Sequence, residues 1–149
     1  MSQKFRLAGR FVIINEKNEI LIVRQKNNWA IPWWWIDYWE NLDDNIKRES
    51  EEELWIKAQK DKIIFSQDFI SSKKNKHCFE FFCTIKNNDD FKDVENSYKK
   101  ASHSYELKKI KWVKLEDFPE NFKPKIFKKV LKKYLNDREN FFCEYISWL

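Results

Sequence analysis

Two hydrophobic rhythms run along the chain. Phe5–Ile14 (FRLAGRFVII) and Glu19–Arg24 (EILIVR) are dense in aliphatic and aromatic residues and predict strands. The polar NEKN at 15–18 separates them, so the pair is expected to form a hairpin. Asn28–Pro32 is a short extended piece that Pro32 helps to end. Lys62–Ile70 and His77–Lys86 are further strands around the polar turn SSKKNK, and Glu106–Lys114 is another. The second rhythm is helical. Leu42, Ile46, Ser50 and Leu54 recur every fourth residue, a core-facing stripe weakened by Ser50, and predict a helix over Asn41–Leu54. Asp43 and Asp44 in its first turn suit the helix dipole. Lys125–Leu135 is a late amphipathic helix with Ile126, Phe127, Val130, Leu131 and Tyr134 on one side. Asn87–Lys100 is charged and loop-like. The order of hairpin, helix, strands and helix predicts an α+β fold, with helices packed on a mixed sheet.

Composition sets the bounds. The 149 residues suit one domain spanning 1–149, and 42% hydrophobic content is enough for a core. No apolar run is long enough to span a membrane, and the polar MSQKFRLAGR start does not resemble a signal peptide. Cys78, Cys83 and Cys143 form no CxxC pair, and His77 and His103 have no partner at zinc-ligand spacing. The expectation is therefore a cytoplasmic protein without zinc. A net charge of +5 suits an anionic ligand such as a nucleotide, and equally a lysine-rich wet surface. The lysines of Lys123–Lys133 read as the wet face of the last helix, so nucleic acid is not the expected partner. Phe79, Phe81 and Phe82 read as core and sheet-face residues.

One segment carries chemistry. Glu49, Glu52 and Glu53 stand at i, i+3 and i+4, on one helix face. Three carboxylates so close repel unless cations intervene, and a hard divalent ion resolves that repulsion. A solvated acidic face accounts for the same spacing. Arg48 lies four residues before Glu52 and can orient it, and Glu40 stands just ahead of the helix.

The longer string narrows the choice. Trp34, five residues, Glu40, seven residues, then Arg48-Glu49-Ser50-Glu51-Glu52-Glu53-Leu54-Trp55-Ile56 resembles the Nudix box, G-x5-E-x7-R-E-U-x-E-E-x-G-U with U a bulky aliphatic. All five charged positions match, as does the final aliphatic, Ile56. Ser50 replaces the other aliphatic. NWAIPWWW stands where the family often shows W-x-L-P-G-G-G, and KIKWVKLEDF is similar to a strand and turn that often follow. The resemblance runs from about Phe5 to Leu135. It implies a Nudix-type α/β/α sandwich around a mixed sheet. It implies hydrolysis of a pyrophosphate bond in a nucleoside diphosphate linked to a group X. Glu49, Glu52 and Glu53 would hold Mg²⁺ or Mn²⁺, with Glu40 in support and Arg48 as the organising cation. The general base would be Glu52 or Glu53, or a later-loop residue such as Glu95, His103 or Glu106.

The departures are as systematic as the matches. Trp33, Trp34, Trp35, Trp39 and Trp55 occupy family glycine positions, while Trp29 and Trp112 stand where tryptophan is usual. The chain has 8 tryptophans and 1 glycine, Gly9, where average usage gives roughly ten glycines. A loop approaching phosphate needs small residues, often at positive φ, and a helix C-cap at Trp55 favours glycine. Three explanations fit. A UGA codon meaning glycine in some bacteria and tryptophan in others, read by the second table, produces this substitution and spares glycines with ordinary codons. Alternatively, the chain is a catalytically impaired Nudix-fold module that binds nucleotide without turnover. Lastly, WWWIDYW is an aromatic platform for bases or a membrane interface, which leaves its coincidence with glycine positions unexplained. Recoding accounts for the most. The gene is therefore expected to carry UGA at positions 33, 34, 35, 39 and 55 and UGG at 29 and 112. Sequencing it decides, and UGG throughout refutes recoding.

Overall fold

The computed structural model describes residues 4–148. Among the described residues, eight strands form two sheets. β1 (Lys4–Val12), β4 (Trp33–Trp35), β5 (Lys60–Ser71), β6 (Lys76–Ile85) and β8 (Glu144–Trp148) make one, in the order β4-β1-β6-β5-β8. β2 (Ile20–Gln25), β3 (Asn28–Ala30) and β7 (Lys109–Val113) make the other, in the order β3-β2-β7. The larger sheet is mixed: β1 runs parallel to β6 and antiparallel to β4, while β5 is antiparallel to β6 and parallel to β8.

Side-chain alternation on the strands produces two cores. Phe11 and Ile13, Leu21 and Val23, and Cys83 and Ile85 pack with Ile46 and Leu54 of helix α1 (Leu42–Leu54). Val12 and Ile14, Ile20 and Ile22, and Phe82 pack instead with Phe127, Val130, Leu131 and Tyr134 of the late helix. That helix, labelled α3 (Phe127–Asn136), follows the short α2 (Val94–Ser97) in the chain. Because successive strand residues face opposite sides, one set of strands serves both helix layers. The result is the α/β/α arrangement that the sequence led us to expect.

Two expectations change, and one strand is unforeseen. The hairpin of the first two strands survives only at its tip, where Ile14 bridges Ile20 and the turn closes on Asn18 at φ 57°. Beyond it β1 joins β4 and β6 while β2 joins β3 and β7. The charged segment 87–100 is not a plain loop. It forms α2 between two 3-10 turns, since Phe91 and Val94 are buried in the α1-side core. Finally, the segment after α3 contributes β8, in which Trp148 donates to Gln67 Oε1 at 3.2 Å.

The one glycine has a steric task. A Cβ on Gly9 would lie 3.0 Å from both Asn45 Oδ1 and Leu42 Cδ1, so β1 and α1 approach this closely only without a side chain there. Ser50, the odd member of the helix stripe, is fully buried, and its hydroxyl accepts from Ala58 N–H at 2.8 Å. It fixes the turn after α1 where an aliphatic residue would only pack. None of Cys78, Cys83 and Cys143 is in a disulfide; burial pushes the Cys83 thiol up to about 12.

Trp55 caps α1 at φ 70° and ψ 7°, with its N–H on Glu51 O, the left-handed geometry that penalises any Cβ. Its side chain is 53% exposed and gains little packing in return. Trp55→Gly is expected to raise stability by about 0.5–1 kcal/mol, the left-handed penalty less the glycine entropy cost. Urea denaturation checks this.

Candidate active site

The site begins at the N-terminus of α1. Asn41 caps it, its side chain accepting from Asp44 N–H at 2.8 Å. Asn45, fully buried, donates to Trp35 O at 2.9 Å and to Glu40 Oε2 at 3.1 Å, tying the segment before the helix to its first turn. Glu40 is held from three directions, since it also accepts from Asp37 N–H at 3.1 Å and from Arg48 Nε at 2.8 Å. Burial pushes the Glu40 carboxyl up, but Arg48 and these N–H donors outweigh it and hold the carboxyl below its ordinary range.

Arg48 is the hub. Its guanidinium pairs with Glu40, with Asp37 at 3.1 Å, with Glu49 at 2.8 Å and with Glu52 at 3.3 Å. The hydrogen bond to Glu40, with the charges of Glu49 and Glu40, raises its pKa and keeps it charged. Beyond it Glu49, Glu52 and Glu53 line a cavity of about 430 Å³ together with Arg48, Glu106 and His103. Glu40 does not line this cavity; it anchors Arg48. Glu52 is further held by His103, whose ring nitrogen lies 3.1 Å from Oε2 and whose N–H donates to Glu52 O at 2.7 Å.

Glu53 is the anomaly. It is 1% exposed, and among the described residues neither carboxylate oxygen has a partner at full hydrogen-bond geometry, although Glu106 and the Trp34 indole are close by. Burial, with Glu106 nearby, pushes its carboxyl up to about 9. Burial likewise raises Glu49, against the pull of Arg48 and with a push from Glu52. Desolvated carboxylates with empty acceptor sites are an oxygen donor set suited to a hard divalent cation. As they stand, no three His, Cys, Asp or Glu among the described residues are gathered tightly enough to grip an ion. Arg48 occupies acceptors on Glu49 and Glu52 that an ion would use.

Each tryptophan at a family glycine position has a definite place. Trp33, Trp34 and Trp35 are not in a positive-φ loop but form β4, in register with Arg10, Gly9 and Ala8. Trp34 is 6% exposed, packs on Phe11 and brings its indole close to Glu53. Trp39 is 93% exposed, next to Tyr38 at 87%. Only Trp55 of the five has positive φ. Of the later-loop acids and bases, His103 and Glu106 reach the cavity, whereas Glu95 sits exposed on α2 and does not line it.

Sequence reasoning missed Asp37 and Asn45, which hold Arg48 and Glu40 in place; their proximity to the charged spacing was the available signal. It also passed over Arg6, which lines the same cavity from β1. No helix among the described residues is long and apolar enough to cross a membrane.

With this geometry in hand, comparison with known proteins is direct. The NUDIX domain model matches residues 4–134, so the chain belongs to the Nudix family. The fold is similar to a MutT protein from Methanosarcina mazei, at 18% identity and a TM-score of 0.63 over 94% of this chain and 99% of that one. It is similar to an ADP-ribose pyrophosphatase from Streptococcus suis, at 18% identity and 0.62 over 96% and 98%. It is also similar to a NUDIX hydrolase from Nitrosomonas europaea, at 13% identity and 0.66 over 99% and 82%. No curated protein matches in sequence.

Glu40→Gln removes one charge from the Arg48 hub while keeping the side chain's shape. It is expected to lower stability by about 1–2 kcal/mol, the scale of a charged hydrogen bond. Chemical denaturation measures the loss, and limited proteolysis should find new cleavage around Asp37.

Proposed function

We propose that this Nudix protein hydrolyses a pyrophosphate bond in a nucleoside diphosphate linked to a further group. The observation that carries the proposal is the convergence of Glu49, Glu52 and buried Glu53 on one cavity. These three acids would hold Mg²⁺ or Mn²⁺, with Glu40 supporting them through Arg48. When bound, the cation neutralises the diphosphate and makes water easier to deprotonate. Arg48 keeps Glu49 and Glu52 aimed at the same side of α1. His103 fixes Glu52 from the opposite wall. The proton of the attacking water passes to a group on this wall, and Glu52, Glu53, His103 and Glu106 all face it. Arg6 at the rim favours the approach of phosphate. One similar fold is named an ADP-ribose pyrophosphatase and another a UDP-X diphosphatase, which supports a nucleotide carrying a second group as substrate. A nucleoside triphosphate satisfies the same chemistry.

A second reading rests on the indoles. Trp33, Trp34 and Trp35 all line the carboxylate cavity, where the family pattern has glycine. The chain with tryptophan there is an impaired form that retains the acids and loses access to them.

The chain with glycine at 33, 34, 35, 39 and 55 is expected to release phosphate-containing products from a nucleotide panel with Mg²⁺. Glu52→Gln and Glu53→Gln in that background should each cost about 100-fold or more in kcat, and EDTA should abolish turnover. The tryptophan chain should be nearly inactive. Product analysis by chromatography reads all four results. Failure of the glycine chain on a broad panel removes the hydrolase reading, and robust turnover by the tryptophan chain removes the impaired one.

A further inference from the structure

The late helix carries charge of one sign. Within Phe127–Asn136, α3 holds Lys128, Lys129, Lys132 and Lys133 and no acid. Lys128 lies in the first turn, where the helix dipole disfavours a cation. It stands four residues before Lys132, a spacing at which like charges repel. Lys133 is matched by Glu144 at 2.8 Å. Lys128 and Lys132 take part in no ion pair among the described residues. Helix stability does not account for this arrangement.

The fold brings more of the same charge to them. A cavity of about 640 Å³ lies between α3, the turn joining β1 to β2 and the segment after β7. Lys17 lines it from the turn and Lys114 from the end of β7, and neither is in an ion pair among the described residues. Four lysines from three separate stretches of chain therefore line one space, against a single carboxylate, Glu116. Asn18 lines it as well, and its Oδ1 accepts from Arg138 Nη2 at 2.8 Å, so a fifth cation stands behind that side chain. Leu115 and Leu135 complete the wall and pack on the α3-side core. On the helix alone these lysines are an ordinary wet face; Lys17 and Lys114 make the difference. The lysine cavity shares no lining residue with the carboxylate cavity, and α3 and α1 belong to opposite layers.

We infer that this lysine cavity binds a chain of linked phosphates, free or carried by a nucleotide, at a site separate from the acids of α1. Lysine binds phosphate as a point charge with three donors. One lone phosphate cannot neutralise four lysines, whereas several phosphates on one chain relieve their mutual repulsion together. A nucleic-acid strand suits the cavity less well, because strands are held by aromatic side chains on which bases stack, and no aromatic residue lines it.

Calorimetric titration of the full chain in EDTA tests this. The titrants are tripolyphosphate, orthophosphate, a nucleoside 5′-triphosphate and a short single-stranded oligonucleotide without a terminal phosphate, all at one ionic strength. EDTA keeps metal from the acids, so the result stands whether or not the chain hydrolyses anything. Tripolyphosphate should bind at one site per chain, about tenfold or more tightly than orthophosphate. Lys128→Gln/Lys132→Gln and Lys17→Gln/Lys114→Gln should each weaken it about fivefold, the scale of two exposed charge contacts. Lys73→Gln/Lys74→Gln, an exposed pair in the β5–β6 turn, should leave it within about twofold. An unchanged Kd in Lys17→Gln/Lys114→Gln means a stripe on α3 and no cavity site, and overturns the inference. An equal loss in Lys73→Gln/Lys74→Gln overturns it too, since net charge alone then accounts for binding. So does a failure to prefer tripolyphosphate over orthophosphate, or an oligonucleotide that binds more tightly than tripolyphosphate. A nucleoside triphosphate that equals tripolyphosphate, and is weakened by the same variants, supports the nucleotide as carrier of the chain; a weaker one supports the free chain. Should Lys128→Gln/Lys132→Gln lack a cooperative melt, Lys132→Gln alone must still weaken binding.

Discussion

Everything at the site hangs on one guanidinium. Arg48 meets carboxylates from the approach segment and from its own helix, joining Asp37 and Glu40 to Glu49 and Glu52. Without a cation at that point, four acids would face one another beside Glu53, which is already out of water. Planar, multiply donating and always charged, arginine can serve all four, where lysine would offer a single point charge. The geometry of the pre-helical segment follows, because Glu40 fixed by Arg48 in turn fixes Asn45 and the Asp37 backbone.

The acids and Arg48 were legible in the sequence because their spacing is local: one helix face is written every three or four residues. So were the helix stripe of α1 and the apolar side of α3. The partnership of strands was not. β1 pairs with β6 across some seventy residues, as with Arg10 and Phe82, and nothing local in FRLAGRFVII announces that partner. β8 was invisible for the same reason, being recruited by β5 from the far end of the chain. Segment 87–100 looked like loop because charge dominates it, yet Phe91 and Val94, with Tyr98 packed beside them, seat it on the core.

The tryptophans divide by physical setting rather than by residue type. Trp55 stands at a backbone angle that rewards the absence of a side chain, which is independent support for glycine at that position. Trp33, Trp34 and Trp35 sit in ordinary strand geometry, and what they obstruct is space and not the backbone. Trp39 meets solvent and obstructs nothing. One sequence-level substitution therefore carries three different structural costs, which only the folded arrangement separates.

The parallel pairing of β1 with β6 also bears on how the protein is made. On a ribosome, α1 emerges well before β6, so the helix that carries the acids is complete while the sheet beneath it still lacks a central strand. Through that interval Glu53 is bathed in water and ionised like any surface glutamate. Its desolvation needs more than the helix itself: Glu106, one of the groups beside it, is made some fifty residues later. The nascent chain thus carries an ordinary acidic helix, and the unusual carboxylate comes into being only when the later segment bearing Glu106 docks against it.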